Sequence, residues 1–209
     1  MNCRLAAVLA LIATGSAHAT TYTLETNYTQ AVFRWNHLGF SDPAAQLAQG
    51  AGTLEFDAMN PAKSRIEVTF PLATLATGVP DLDEHLKSED FFEIAKFPTA
   101  TFKSVKIEPG MGAGQFRVIG NLTLHGMTRP VTLDATLLKT GDNARTGVAS
   151  VGFNATTTIK RSEFGLGAFV PQVSDAVRIQ LTAQAAESIA LAAYREKQEN
   201  EKKKDAGKK

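Results

Sequence analysis

The chain has 209 residues, with 22 basic against 21 acidic side chains, one cysteine and a formal charge of +1. So even a balance gives no global field for nucleic acid or an anionic membrane. The lone cysteine, Cys3, lies in an N-terminal leader, so the exported chain has no thiol for a disulfide, a thiolate zinc site, a cysteine nucleophile or C-x-x-C-H haem attachment.

The leader is Met1 to Ala19, which reads as a secretory signal peptide. Arg4 opens it, an apolar run follows from Leu5 to Ile12, and Ala17-His18-Ala19 forms the A-x-A cleavage pattern. Cleavage after Ala19 and a periplasmic destination are expected. Cys3 precedes the apolar run, so it is not an acylation site. About 190 residues then remain, enough to build an ordinary core without disulfides.

From there the pattern is β. Strands are expected at Thr21–Glu25, Ala31–His37, Gly50–Asp57 and Arg65–Phe70, where polar and apolar residues alternate. Asp81–Glu89 reads as a helical insertion, its acidic first turn suiting a helix N-terminus. Thr99–Glu108 resumes the β pattern. Phe116, Val118, Leu122 and Leu124 share the face of the next strand. Met127-Thr128-Arg129-Pro130 reads as a hairpin corner, with Pro130 opening a strand whose inward residues are Val131, Leu133, Ala135 and Leu137. Arg145–Thr157 and the alternation Val177, Ile179, Leu181, Ala183 complete the set, with a single helical turn at Arg161–Gly165. Asn60-Pro61, Pro109-Gly110 and Gly141-Asp142-Asn143 punctuate the strands. Eight or nine strands joined mostly by short turns predict one antiparallel unit, a barrel or a sandwich. Neither an internal repeat nor a second domain is visible.

After Ala185 the composition shifts to Ala, Glu and Lys. Residues 186–209 read as a polar helix, docked through Ile189, Ala192, Ala193 and Leu191, that gives way to a disordered basic tail. The last eight residues hold five lysines, enough for a weak tether to anionic lipid headgroups.

Asp83 to Ser104 (DEHLKSEDFFEIAKFPTATFKS) concentrates four phenylalanines, Phe91, Phe92, Phe97 and Phe102, beside His85. This stretch and four others make a set: YTLETNYTQAVFRWNHLGF at 22–40, Gly52-Thr53-Leu54-Glu55-Phe56-Asp57, Gly120-Asn121-Leu122-Thr123-Leu124-His125-Gly126-Met127-Thr128-Arg129-Pro130-Val131, and Ile159-Lys160-Arg161-Ser162-Glu163-Phe164-Gly165. In order and spacing they resemble the YceI-like family, over roughly Thr21 to Ala185. Three positions depart from that family's usual pattern. Glu25-Thr26-Asn27-Tyr28-Thr29 stands for Asp-Pro-x-His-Ser, Leu82-Asp83 for Arg-Asp, and Lys160 for the Asn before Arg161. The resemblance implies an exported, lipocalin-like barrel that binds polyisoprenoid lipid. The expected fold is therefore all-β: a single antiparallel barrel of about eight strands over 20–185, with a short helical insertion and a C-terminal helix.

A barrel of that size is wide enough for one hydrocarbon ligand. Phe33, Phe56, Phe91, Phe92, Phe102, Phe164 and Phe169 are the candidates for its wall and lid. His85 is a candidate donor to a ligand head, and Arg161 either meets an anionic or carbonyl group there or holds a loop. His37 and His125 read as structural, and the histidines show no metal-ligand spacing. No catalytic residue and no cofactor beyond a bound isoprenoid are expected. The functional expectation is binding, transport or sequestration of a long-chain amphiphile. The alternative is an enzyme or electron-transfer accessory acting on an isoprenoid-tailed substrate such as a quinone. A homodimer is compatible with the sequence, and a nucleic-acid partner is not expected.

Overall fold

The computed structural model describes residues 19–206. The first 18 residues of the proposed signal peptide and the final three residues of the tail lie outside them. In chain order the strands are β1 (Thr20–Leu24), β2 (Gln30–Arg34), β3 (Ala44–Leu47), β4 (Ala51–Phe56) and β5 (Arg65–Pro71). Helix α1 (Pro80–Lys87) follows, then β6 (Thr99–Pro109), β7 (Gln115–Leu124), β8 (Met127–Asp142), β9 (Ala149–Lys160), β10 (Ala176–Glu187) and α2 (Ser188–Ala206).

All pairings are antiparallel, and the β1–β10 contact closes the sheet on itself. β1 and β2 lie end to end against β10: Leu24 pairs with Ala185, and Ala31 with Leu181. β4 and β3 continue the same arrangement, pairing with β1 and β2. Ten strand segments thus form a closed barrel of eight staves, two of them broken.

β3 is the strand that sequence reading missed. Ala44-Ala45-Gln46-Leu47 is short and poor in β-branched residues, and it follows Asp42-Pro43. It is extended because β2 pairs with it on one side and Gln46 bridges Ala76 on the other, burying Ala45 and Leu47. β2 ends at Arg34, earlier than expected, because residues 37–41 fold back: the His37 N–H donates to the Ser41 carbonyl at 2.8 Å. The hairpin corner also moves. His125 and Gly126 both have positive φ (50° and 70°), the signature of a two-residue turn whose twist matches the strands. Met127–Pro130 therefore lies inside β8. Pro130 opposes Asn121 there, in a part of β8 that has not yet met β9, so its missing N–H removes no bond to that neighbour.

Inward and outward residues alternate as the period-two pattern requires. Exceptions fall at two register shifts, next to Val105 and Leu138, where an extra residue turns an apolar side chain outward. The expected docking face of α2 also differs. Leu191 is buried against Val148 and Ala186, with Ala190 and Tyr194 beside it, while Ile189 is 81% exposed. The Glu187 carboxylate accepts the N–H groups of Ile189 and Ala190, which fixes the helix start and turns Ile189 away. The helix continues through Lys202, Lys203 and Lys204 to Ala206, beyond where a disordered tail was expected. Its run of Glu, Gln and Lys has good helix propensity.

Candidate functional site

The barrel is hollow at one end. A cavity of about 610 Å3 opens between α1, the turn at 37–41 and the loop at 165–173. Its wall is almost wholly hydrocarbon. Phe33 comes from β2 and Trp35 from just past its end, their ring centroids 6.0 Å apart, and Phe33 meets the edge of Phe92 at 6.3 Å. Phe70 and Phe102 close the deep end.

Helix α1 forms one side of the mouth. Pro80 opens it, with Asp81 and Asp83 in the first turn and His85 and Lys87 in the last, each on the favourable end of the helix dipole. Leu82 and Leu86, four residues apart, turn the same face to the cavity. The Asp83 carboxylate accepts from the Thr77 hydroxyl (2.5 Å) and the Thr77 N–H (2.6 Å), pinning the preceding loop. Those two bonds, with Lys87 nearby, hold the carboxyl below its ordinary value despite some desolvation.

After α1 the chain bends through Phe91 and Phe92 and is held by backbone bonds: the Phe92 N–H donates to Leu86 and the Glu93 N–H to Ser88. Further on, Phe97 lies 4.7 Å from the ring of His125. His125 Nδ1 donates to the Phe164 carbonyl at 3.1 Å, and its Nε2 faces a Glu93 carboxylate oxygen at 3.8 Å. This clasp joins the α1 segment, the β7–β8 turn and the turn after β9.

Arg161 holds the opposite side of the mouth. It is 5% exposed, and its guanidinium donates to four backbone carbonyls: Ser174 (2.9 Å), Ala168 (2.8 Å), Val173 (2.9 Å) and Leu166. It also lies 5.8 Å from the Phe91 ring centre, in cation–π range. Burial pulls its pKa below the ordinary value, and Asp175 opposes that. Burial likewise raises the Asp175 carboxyl, but the Ser162 N–H and hydroxyl, then Arg161 and Lys160, outweigh it and leave the pKa lowered.

Seven of the nine sequence candidates line this cavity: Phe33, His85, Phe91, Phe92, Phe102, Arg161 and Phe169. His85 stands at the rim, 6.0 Å from Phe91, and Phe169 is 64% exposed. Two candidates are elsewhere. Phe56 sits near the far end of the barrel, its ring 5.4 Å from Phe153 and 6.2 Å from Phe116. Phe164 is fully buried in the core, because the left-handed Gly165 reverses the chain and presents Leu166 to the cavity instead.

A family model described as the YceI-like domain matches residues 22–185, most of the chain. The chain belongs to the YceI family. A protein named YceI from Salmonella arizonae is 34% identical over 176 residues, covering 83% of this chain and 91% of that one. BcnA of Burkholderia cenocepacia, a crystal structure, superposes with a TM-score of 0.69 at 22% identity, covering 77% of this chain and 98% of that one. A polyisoprenoid binding domain from Saccharophagus degradans, implicated in plant cell wall breakdown, superposes at 0.60 with 14% identity, covering 81% and 99%. At those identities the likeness is one of fold.

The cavity also uses residues that sequence reading left out. Trp35, just past the end of β2, continues the inward alternation of Phe33, and Phe70 shares the inward face of β5 with Val68, so period two already marked both. Leu38, Gln172 and Val173 come from turns at the cavity mouth, where no periodicity exists to mark them.

Proposed function

We propose that the barrel binds a polyisoprenoid or similar long-chain amphiphile in its open cavity. The observation that carries this reading is the cavity itself: about 610 Å3, open at one end and walled by aromatic and aliphatic side chains. Drug-sized ligands typically occupy about 300–1,000 Å3. Each methylene-sized unit moved from water into such a wall gains about 0.8 kcal/mol, so a hydrocarbon chain needs little polar recognition.

The polar groups on the wall are few: His37, His85, Thr157, Arg161 and Gln172. All but Thr157 lie on α1 or the mouth loops, and Arg161 is largely committed to the loop at 166–174. This distribution favours holding an amphiphile, tail inward and head at the rim, over a covalent step on it. The name of the Saccharophagus degradans neighbour points the same way. Together with the leader read from the sequence, it supports a periplasmic protein that carries or sequesters such a lipid.

Native mass spectrometry of protein purified from its own host tests this. The expected spectrum shows one co-purified lipid, displaced by added prenyl alcohol. Phe91→Asp should weaken that binding at least tenfold while shifting the melting temperature little, since Phe91 is only part-buried. Delipidated protein that takes up no isoprenoid would count against the proposal.

A further inference from the structure

The barrel interior is divided in two. A second void of about 90 Å3 lies beneath the main cavity, towards the end away from the mouth. On β10, Val177 and Ile179 line the upper cavity, Leu181 lines both, and Ala183 and Ala185 line the lower void. On β8 the same change occurs at Leu133, with Val131 above and Ala135 below. The two spaces are therefore stacked along the barrel axis. Val68, Phe70, Phe102, Leu133 and Leu181 line both and form a belt between them.

Two members of the belt are aromatic, and a glycine backs each. A Cβ on Gly120 would lie 2.4 Å from Cζ and 2.8 Å from Cε2 of Phe102. A Cβ on Gly50 would lie 2.6 Å from Cε1 of Phe70. The rings thus fill notches that a side chain at either glycine would occupy, and the backbone at Gly120 and Gly50 rather than a ligand sets their position. Below them the rings of Phe56, Phe116 and Phe153 surround the lower void.

We infer that this belt is the floor of the ligand cavity, with Phe102 as the partition that sets the longest chain the barrel accepts. The inference rests on the lipid-binding reading above and adds its determinant of length. Each further buried methylene raises affinity about fourfold. That gain stops where the chain end meets the floor, because the next unit must stay in water or fold back. Without the Phe102 ring the chain end enters the lower void and the gain resumes.

The test uses the mature protein and a homologous series of all-trans prenyl alcohols, from farnesol through geranylgeraniol to solanesol. Each competes against a fluorescent fatty acid. Wild type should gain affinity with length up to a break and then level off. In Phe102→Ala the break should move at least one isoprene unit longer than in wild type, whatever the change in absolute affinity for farnesol. Phe102→Leu, which keeps more of the packing, serves in its place should the alanine variant fail to fold. A break at an unchanged length in a folded variant, or no break in wild type, overturns the inference. A wild type that binds no prenyl alcohol overturns the lipid-binding reading as well, a result distinct from an unmoved break.

Discussion

Arg161 has five N–H donors, and four of them end on backbone carbonyls between Leu166 and Ser174. A loop of that kind has few partners for its own carbonyls, so one side chain supplies them. The loop carries Leu166, Phe169, Gln172 and Val173 to the cavity mouth, so the arginine shapes the site from behind. Lysine has the charge but not the planar fork. Arg161→Lys should leave at least one of the four carbonyls unpaired, at about 1–3 kcal/mol each. The expected outcome is a fall in melting temperature on the order of 10 °C for a domain of this size. A second sign should be faster amide exchange confined to 165–174. An unchanged melting temperature would mean that the loop finds other donors. From sequence, Arg161 was an arginine with two readings, ligand contact or loop clamp. The bonds reach an irregular loop 5 to 13 residues further on, where no periodicity marks them, and only folding reveals them.

At the scale of elements, α1 and α2 invite opposite expectations. α1 is short, yet Leu82, Leu86 and the following Phe92 tie it to the cavity wall, and Asp83 ties it to Thr77. α2 is long but meets the barrel only through its first two turns, at Leu191, Ala190 and Tyr194. Beyond Tyr194 its residues are mostly exposed, at the end of the barrel away from the mouth. Removing residues 196–209 should therefore shift the melting temperature by no more than about 1 °C and leave lipid binding unchanged. A drop of several degrees, measured by circular dichroism, would show that the distal helix packs. The helices were legible in sequence because an acidic first turn and a helix-forming composition are local signals. The docking face of α2 was not, because Ile189 and Leu191 look alike until Glu187 fixes where the helix begins.

For the molecule as a whole, three carboxylates are better served folded than unfolded. Asp83 and Asp175 lie below their ordinary value of 3.8, and Glu108, bonded to Lys106, below 4.5. A lowered folded pKa gives stability that is present above the unfolded value and lost as pH falls through the folded one. Thermal stability should thus fall as pH drops below about 4.5, and Asp175→Asn should flatten part of that fall. Identical acid slopes for variant and wild type would show that Asp175 has no share in it. The contributions are small at high salt, since Asp83 and Glu108 are open to solvent.

Alternation along Arg65–Pro71, Gln115–Leu124 and Ala176–Glu187 made the barrel legible, because period two is a property of the strand itself. It marks which side chains face inward and so named most of the wall, from Phe33 to Phe102. Whether inward side chains from opposite walls meet is another matter. It depends on barrel radius, on the broken staves at β1–β2 and β3–β4, and on closure between Leu24 and Ala185. Tertiary structure alone therefore separated the open cavity beside Phe33 from the packed rings around Phe56, and drew the line between them at Phe102. The same inward pattern runs through both ends, and only distance across the barrel tells them apart.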